Sequence, residues 1–408
     1  MMKVDRPLIN SRTVMVDRFS IVAVRAYVIE AGDTGGDYHR RQSGHWISDT
    51  LIANPMSGYP QYRERRTSWG IGVLGSVVLE IEAADGTIGV ATGMGGEPAC
   101  YLIKRHFERF LVGSDPRDTA RIWDQMFRAS MFYGRKGITM TAISVVDLAL
   151  WDLLGKLRGE PVYKMIGGAV RDQLTLYCTG PEPQVYKELG FFGGKIPLPE
   201  GPMDGPAGMR RNVERVAAVR ESVGADFPIM LDCYMALDVP YAIELAEKVR
   251  PFGVYWIEEA LHPDDFDGHR QLKAACPWIR WTTGEHEYTR YGFRNLVVSR
   301  AVDIIQPDVM WLGGLTELMR VAALANAYDI PVVPHGSGAY SYHFCITQPQ
   351  AIFCEYINIS PDGRSVAPVF GSMFTNEVIP ENGGITLSDE PGFGLELDRD
   401  ATHLVRFD

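Results

Sequence analysis

Cysteine is scarce in this chain and poorly placed for cross-linking or for zinc. The six residues (Cys100, Cys178, Cys233, Cys276, Cys345 and Cys354) stand far apart, with no CxxC pair among them. That spacing speaks against a disulfide framework and against a cysteine-held zinc site, and fits the reduced thiols of a cytoplasmic protein. Basic charge is also short. Forty Lys and Arg face 51 Asp and Glu, a net charge of −11, with no basic stripe carrying interleaved aromatics. A partner bound through phosphates, nucleic acid above all, is therefore not expected. No apolar run approaches the roughly 18 residues of a membrane span. The start of the chain carries Lys3, Asp5 and Arg6 rather than an apolar stretch, so no secretion signal is expected. Low-complexity tracts and simple repeats are missing as well. A small-molecule partner, no membrane and a cytoplasmic location follow as expectations.

What is present suits a large folded body. With 408 residues, 46% apolar and 22% charged, the chain can bury two or three domain cores or one barrel with additions. "SVVLEIEAADGTIGVATG" holds two strand-like runs about Asp85-Gly86, a hairpin signal. Residues 101–133 and then "TAISVVDLALWDLLGKLRG" (141–159) read as helices, the second ending at Gly159-Glu160-Pro161. Residues 1–140 are thus expected to form an α+β capping domain. Eight short apolar segments follow, "LTLYCTG", "FFGGKIPL", "FPIMLDCY", "VYWIEEA", "IRWTTGEH", "VDIIQPDV", "IPVVPHG" and "AIFCEY", separated by helical stretches such as 207–223, 240–250 and 313–327. Alternation of this kind predicts a parallel sheet covered on both faces, here an α/β fold with a (β/α) TIM-type barrel over residues 141–365. Residues 366–408, rich in Gly and Pro, are expected to pack back on the capping domain.

One competing signal is the GxGxxG match "GIGVLG" (Gly70, Gly72, Gly75). It signifies dinucleotide binding only between a strand and a helix that offers its N-terminus to the pyrophosphate. A hairpin follows it instead, so a nicotinamide-dependent oxidoreductase is a weak alternative.

The informative positions are the strand ends. "VYWIEEALHP" closes an apolar strand with Glu258 and Glu259, and taken alone that pair reads as solvated at a strand–loop junction. Taken with its neighbours it does not. Lys195, Asp232, Glu258, Glu285, Asp308, His335 and Glu355 end successive barrel strands, and such ends converge on one mouth. Asp232, Glu258 and Glu285 come from three consecutive strands, and three carboxylates stay ionised together only with a counter-charge. An oxygen-only set points to a hard cation, Mg2+, whereas zinc is disfavoured because no Cys or His pair shares the spacing. Salt bridges to barrel lysines are the structural alternative.

The segments "LDCY", "WIEEAL", "TTGEHE", "QPDVMWLGGLTE" and "VVPHGS", with "VDLALWDLLGKLRGEPVYKMIGG" before the barrel, resemble the enolase superfamily, mandelate racemase subgroup, over nearly the whole chain. The resemblance implies a modified, enolase-like barrel. It also implies removal of a proton α to a carboxylate, with the enediolate held by Mg2+ on Asp232, Glu258 and Glu285. It makes His335 the base, paired with Asp308, and sets Glu355 against the substrate carboxylate, able to donate a hydrogen bond if protonated. Glu259 is left out, because strand alternation points it to the other face. Racemases of this subgroup carry KxK on the second strand; here Lys195-Ile196-Pro197 puts a proline where their second base stands. One base suits elimination, with Lys195 as a cation beside the substrate carboxylate. "GGDYH", "HWISD", "GFFGGKIP" and "DEPGFGLELDRD" narrow the expectation to a Mg2+-dependent dehydratase of a sugar acid, L-rhamnonate or a relative such as L-mannonate or L-lyxonate. His45 and Arg66 would reach the substrate from the capping loops, and a homo-oligomer is expected. A racemase or cycloisomerase on the same scaffold, or a non-catalytic metal-binding scaffold, are the alternatives.

Overall fold

The computed structural model describes residues 17–29, 44–59 and 74–408. Its first sheet is antiparallel: Leu404–Phe407 (β12) pairs with Ile21–Ile29 (β1), β1 with Ser76–Ala83 (β2), and β2 with Ile88–Met94 (β3). The β2–β3 hairpin turns at Asp85-Gly86. The Asp85 carboxylate accepts from Thr87 N at 2.9 Å, and Gly86 takes φ +89°, a conformation glycine reaches without steric cost. The "GIGVLG" stretch leads into β2 and not into a helix, which removes the context a dinucleotide site needs; Gly70 and Gly72 lie outside the described residues.

The helix Ile138–Arg158 lies along this sheet with 17 buried residues. Close approach is possible because Gly89 and Gly93 face it: a Cβ on Gly89 would sit 2.3 Å from Ala149 O, and one on Gly93 2.4 Å from Val145. Asp152 on the same helix accepts from Val90 N at 2.8 Å and Phe393 N at 3.0 Å, joining the first sheet to the C-terminal segment. That segment spans both bodies. β12 completes the first sheet, whereas Gly384–Ile385 (β11) pairs with the opening barrel strand.

The barrel runs in parallel order through Leu174–Thr179 (β4), Gly194–Pro197 (β5), Ile229–Asp232 (β6), Trp256–Glu258 (β7), Arg280–Thr283 (β8) and Ile304–Ile305 (β9); Cys354–Ile357 (β10) returns to pair with β4. The segment expected as the next strand after β9 shrinks to a single bridge, Ile305 to Val332. Pro331 and Pro334 flank it and cannot donate to a ladder. Three bonds still hold it: Ile305 N to Pro331 O at 3.1 Å, Val333 N to Ile305 O at 3.0 Å and His335 N to Pro307 O at 3.2 Å. Tyr177, Met230, Trp256, Ile304, Val333 and Phe353 form an apolar floor, separate from the main core.

Candidate active site

Side chains alternate along a strand, so the residue two positions beyond each floor residue lines the layer above it. From Met230, Trp256, Val333 and Phe353 this step leads to Asp232, Glu258, His335 and Glu355. Asp232, Glu258, Glu285, Asp308 and Glu355 are all buried, and two basic side chains, Lys195 and His335, share their mouth. With Glu259 and His286 beside them, six carboxylates face three basic side chains, and burial sets the titration of the groups. Burial holds Glu258 up at about 8 against the opposing pull of Lys195. Burial likewise raises Glu285 to about 7, with His335 and His286 opposing. Buried, oxygen-only and short of positive charge, Asp232, Glu258 and Glu285 fit a hard divalent cation.

Each side chain is fixed by neighbours. Glu258 Oε2 accepts from Trp256 Nε1 at 3.0 Å and Gln306 Nε2 at 2.7 Å, and Oε1 meets Lys195. Lys195 Nζ lies 2.8 Å from Glu355 Oε1 and 3.9 Å from Asp232 Oδ2. At 1% exposure Lys195 is no solvated strand-end lysine. His335 Nδ1 is 2.7 Å from Asp308 Oδ2, while Asp308 Oδ1 accepts from Met310 N at 2.7 Å and Ser337 Oγ at 3.0 Å. The other imidazole nitrogen, Nε2, stands 3.3 Å from Glu285 Oε1. Burial would lower the His335 pKa, but Glu285, Glu355 and Asp308 together raise it to about 10.

The Glu259 expectation needs correction, and Glu355 and His45 have partners that the sequence does not announce. Glu355 accepts from Gly336 N at 2.8 Å and from the Thr179 hydroxyl. Burial alone would raise its pKa, yet Lys195 and His335 hold it down near 2, as a carboxylate. Glu259 is neither solvated nor turned away. It is 1% exposed, and its oxygens lie 3.0 and 2.9 Å from His286 Nδ1. Strand alternation fails because Glu259 has already left the strand, at φ +45°. His45 sits at the rim, but its ring caps the helix Trp46–Asp49, accepting from Ile47 N at 3.2 Å, and its Nε2 lies 3.0 Å from Ile359 O. Both nitrogens are thus engaged by the backbone. Arg66 lies outside the described residues.

His286 was missed altogether, although "GEHE" sets it directly after Glu285. Glu259, Glu285 and His286 bring one donor atom each within 4.8 Å of one another. Both Glu259 oxygens lie against His286 Nδ1, just as both Glu258 oxygens are engaged by Lys195, Trp256 and Gln306; among the described residues the donor atoms of Asp232, Glu258 and Glu285 do not come together as closely as those of this group.

Residues 71–167 match the family described as Mandelate racemase / muconate lactonizing enzyme, N-terminal domain, and residues 184–401 match Enolase C-terminal domain-like. A protein of Caldivirga maquilingensis is 51% identical over 380 residues, 93% of this chain and 95% of the relative. An L-rhamnonate dehydratase of Saccharopolyspora erythraea is 50% identical, covering 92% of this chain and 96% of its own. The crystal structure of rhamnonate dehydratase from Gibberella zeae complexed with Mg superposes with a TM-score of 0.91 at 59% identity, over 94% of this chain and 95% of that one.

Proposed function

The chain belongs to the mandelate racemase / muconate lactonizing enzyme family of the enolase superfamily, and from that membership we propose that it is a Mg2+-dependent dehydratase of L-rhamnonate. The reaction is a hydro-lyase step, in which a sugar acid loses water and becomes a 2-keto-3-deoxy acid. Asp232, Glu258 and Glu285 would hold Mg2+, which when bound supplies the positive charge that acidifies the proton next to a carboxylate. The chain's own residues do the rest. Asp308 fixes the His335 tautomer and ring orientation through Nδ1, leaving Nε2 for the substrate. His335 takes the proton from C2, and its imidazolium returns a proton to the departing 3-hydroxyl as water leaves. Glu285 is the largest single influence raising the His335 pKa, so a cation held on Glu285 would lower it towards the range of a base. Lys195 keeps Glu258 and Glu355 in place beside the carboxylate end.

The observation that carries this reading is the His335–Asp308 pair facing Glu285, with Pro197 where a second base would stand. A racemase or cycloisomerase lacks support at that position. Close relatives of the substrate, L-mannonate and L-lyxonate, are secondary candidates. The same proposal places the enzyme in the cytoplasm, consistent with six buried free cysteines, as a homo-oligomer, for which the exposed Met131, Phe132 and Tyr133 offer a surface. Incubation with a panel of sugar acids and Mg2+, read by a 2-keto acid assay, tests it. L-Rhamnonate should turn over fastest; no keto acid from any member would refute the assignment.

A further inference from the structure

An indole N–H at the mouth has no partner among the described residues. Trp311, in the segment after β9, is 7% exposed, and its Nε1 bonds to nothing among the described residues. A buried donor left unmet is costly, so the position needs a reason. The ring lies between two imidazoles, its centroid 5.2 Å from His286 and 5.5 Å from His335.

His286 is held from behind. Glu259 engages its Nδ1 through both oxygens and accepts from its backbone N at 3.3 Å, while Tyr234 packs edge-on at 5.5 Å. With Nδ1 engaged, Nε2 is the atom available to a ligand, and the side chain keeps 20% exposure. Glu259 makes these contacts from a left-handed backbone, which a residue with a Cβ adopts at a cost and which clusters at functional sites.

We propose that Trp311 Nε1–H and His286 Nε2 form a hydroxyl-recognition subsite for the part of the sugar acid beyond C3. The inference rests on the dehydratase reading and deepens it. His335 addresses C2 and C3 and packs on the indole, so a polyhydroxylated chain anchored there passes Trp311 towards His286 with its C4 or C5 hydroxyl. A hydroxyl suits both groups, since its oxygen accepts from the indole while exchanging a hydrogen bond with an imidazole nitrogen in either role. A second carboxylate would meet Glu285 and Glu259, and a methylene would leave the indole unmet. The pair therefore selects acids that keep this hydroxyl.

The test compares kcat/KM for L-rhamnonate with that for its 4-deoxy and 5-deoxy analogues, in wild type, Trp311→Phe and His286→Asn, with Mg2+ affinity by calorimetry. Sites built to bond a hydroxyl reject the analogue lacking it, so wild type should disfavour one analogue by about 100-fold or more. In both variants that discrimination should fall by at least about tenfold, with Mg2+ affinity kept. Should Trp311→Phe fail to fold, His286→Asn carries the test. Unchanged discrimination in an active enzyme overturns the subsite alone. Lost Mg2+ affinity in His286→Asn overturns it too, making His286 a metal ligand. A wild type inert towards every sugar acid overturns the dehydratase reading and the subsite together.

Discussion

Glu258 is fully buried, with its two oxygens shared among Lys195, Trp256 and Gln306. Glu258→Gln keeps the shape and an acceptor for Lys195 but removes one of the three charges proposed to hold the cation. The variant should fold, lose Mg2+ affinity by about tenfold or more, and lose turnover. Calorimetric titration decides it, and an unchanged affinity in the folded protein would remove Glu258 from the ligand set. At this scale the sequence speaks through register. Asp232, Glu258, His335 and Glu355 were legible because each closes an apolar run. Glu259 and His286 were not, because their pairing depends on a backbone turn to φ +45° that strand alternation does not anticipate. Nor does position give protonation state: that Glu355 is an acceptor depends on Lys195 reaching across from β5.

Elements set the height of the mouth. The apolar floor and the polar layer two residues above it repeat from strand to strand, so the barrel's chemistry is carried by phase more than by any one motif. Between elements, Asp147 on the helix Ile138–Arg158 accepts from Thr316 N at 2.8 Å, at the start of the helix Gly314–Asn326, while its other oxygen has no hydrogen-bond partner among the described residues. Burial raises this carboxyl to about 7, with the Thr316 contacts opposing. The unfolded chain ionises this group near pH 4 and the folded chain only near 7, so the unfolded state holds fewer protons between those values. Stability is therefore lost as pH rises through that window, by an upper bound of about 4 kcal/mol. Asp147→Asn should flatten this loss. Chemical denaturation at pH 5 and pH 8 checks it: the variant should gain on wild type at pH 8, and a parallel pH dependence would exclude Asp147 as its source.

In the whole molecule, a C-terminal segment without regular alternation supplies a strand to the first sheet and another to the barrel. That return was readable only as a loss of pattern, since β11 and β12 are two and four residues long. The capping loops were the least legible part. His45 spends its nitrogens on the backbone, a role that a polar, aromatic stretch does not announce. A cation bound only by the folded mouth stabilises the whole chain. Mg2+ at about 100 times its dissociation constant should add about 2.7 kcal/mol and raise Tm by a few degrees. Calorimetry with Mg2+ and with a chelator measures this, and identical melts would speak against a structured cation site.

The central claim is that one residue, His335, both removes the C2 proton and delivers a proton to the leaving hydroxyl. Proton NMR of L-rhamnonate in deuterated water, with wild type, His335→Asn and Lys195→Ala, tests it most directly. His335→Asn should abolish product formation and C2 exchange together, while Lys195→Ala weakens turnover yet keeps exchange. Exchange that persists in His335→Asn and disappears in Lys195→Ala would make Lys195 the base and contradict the account.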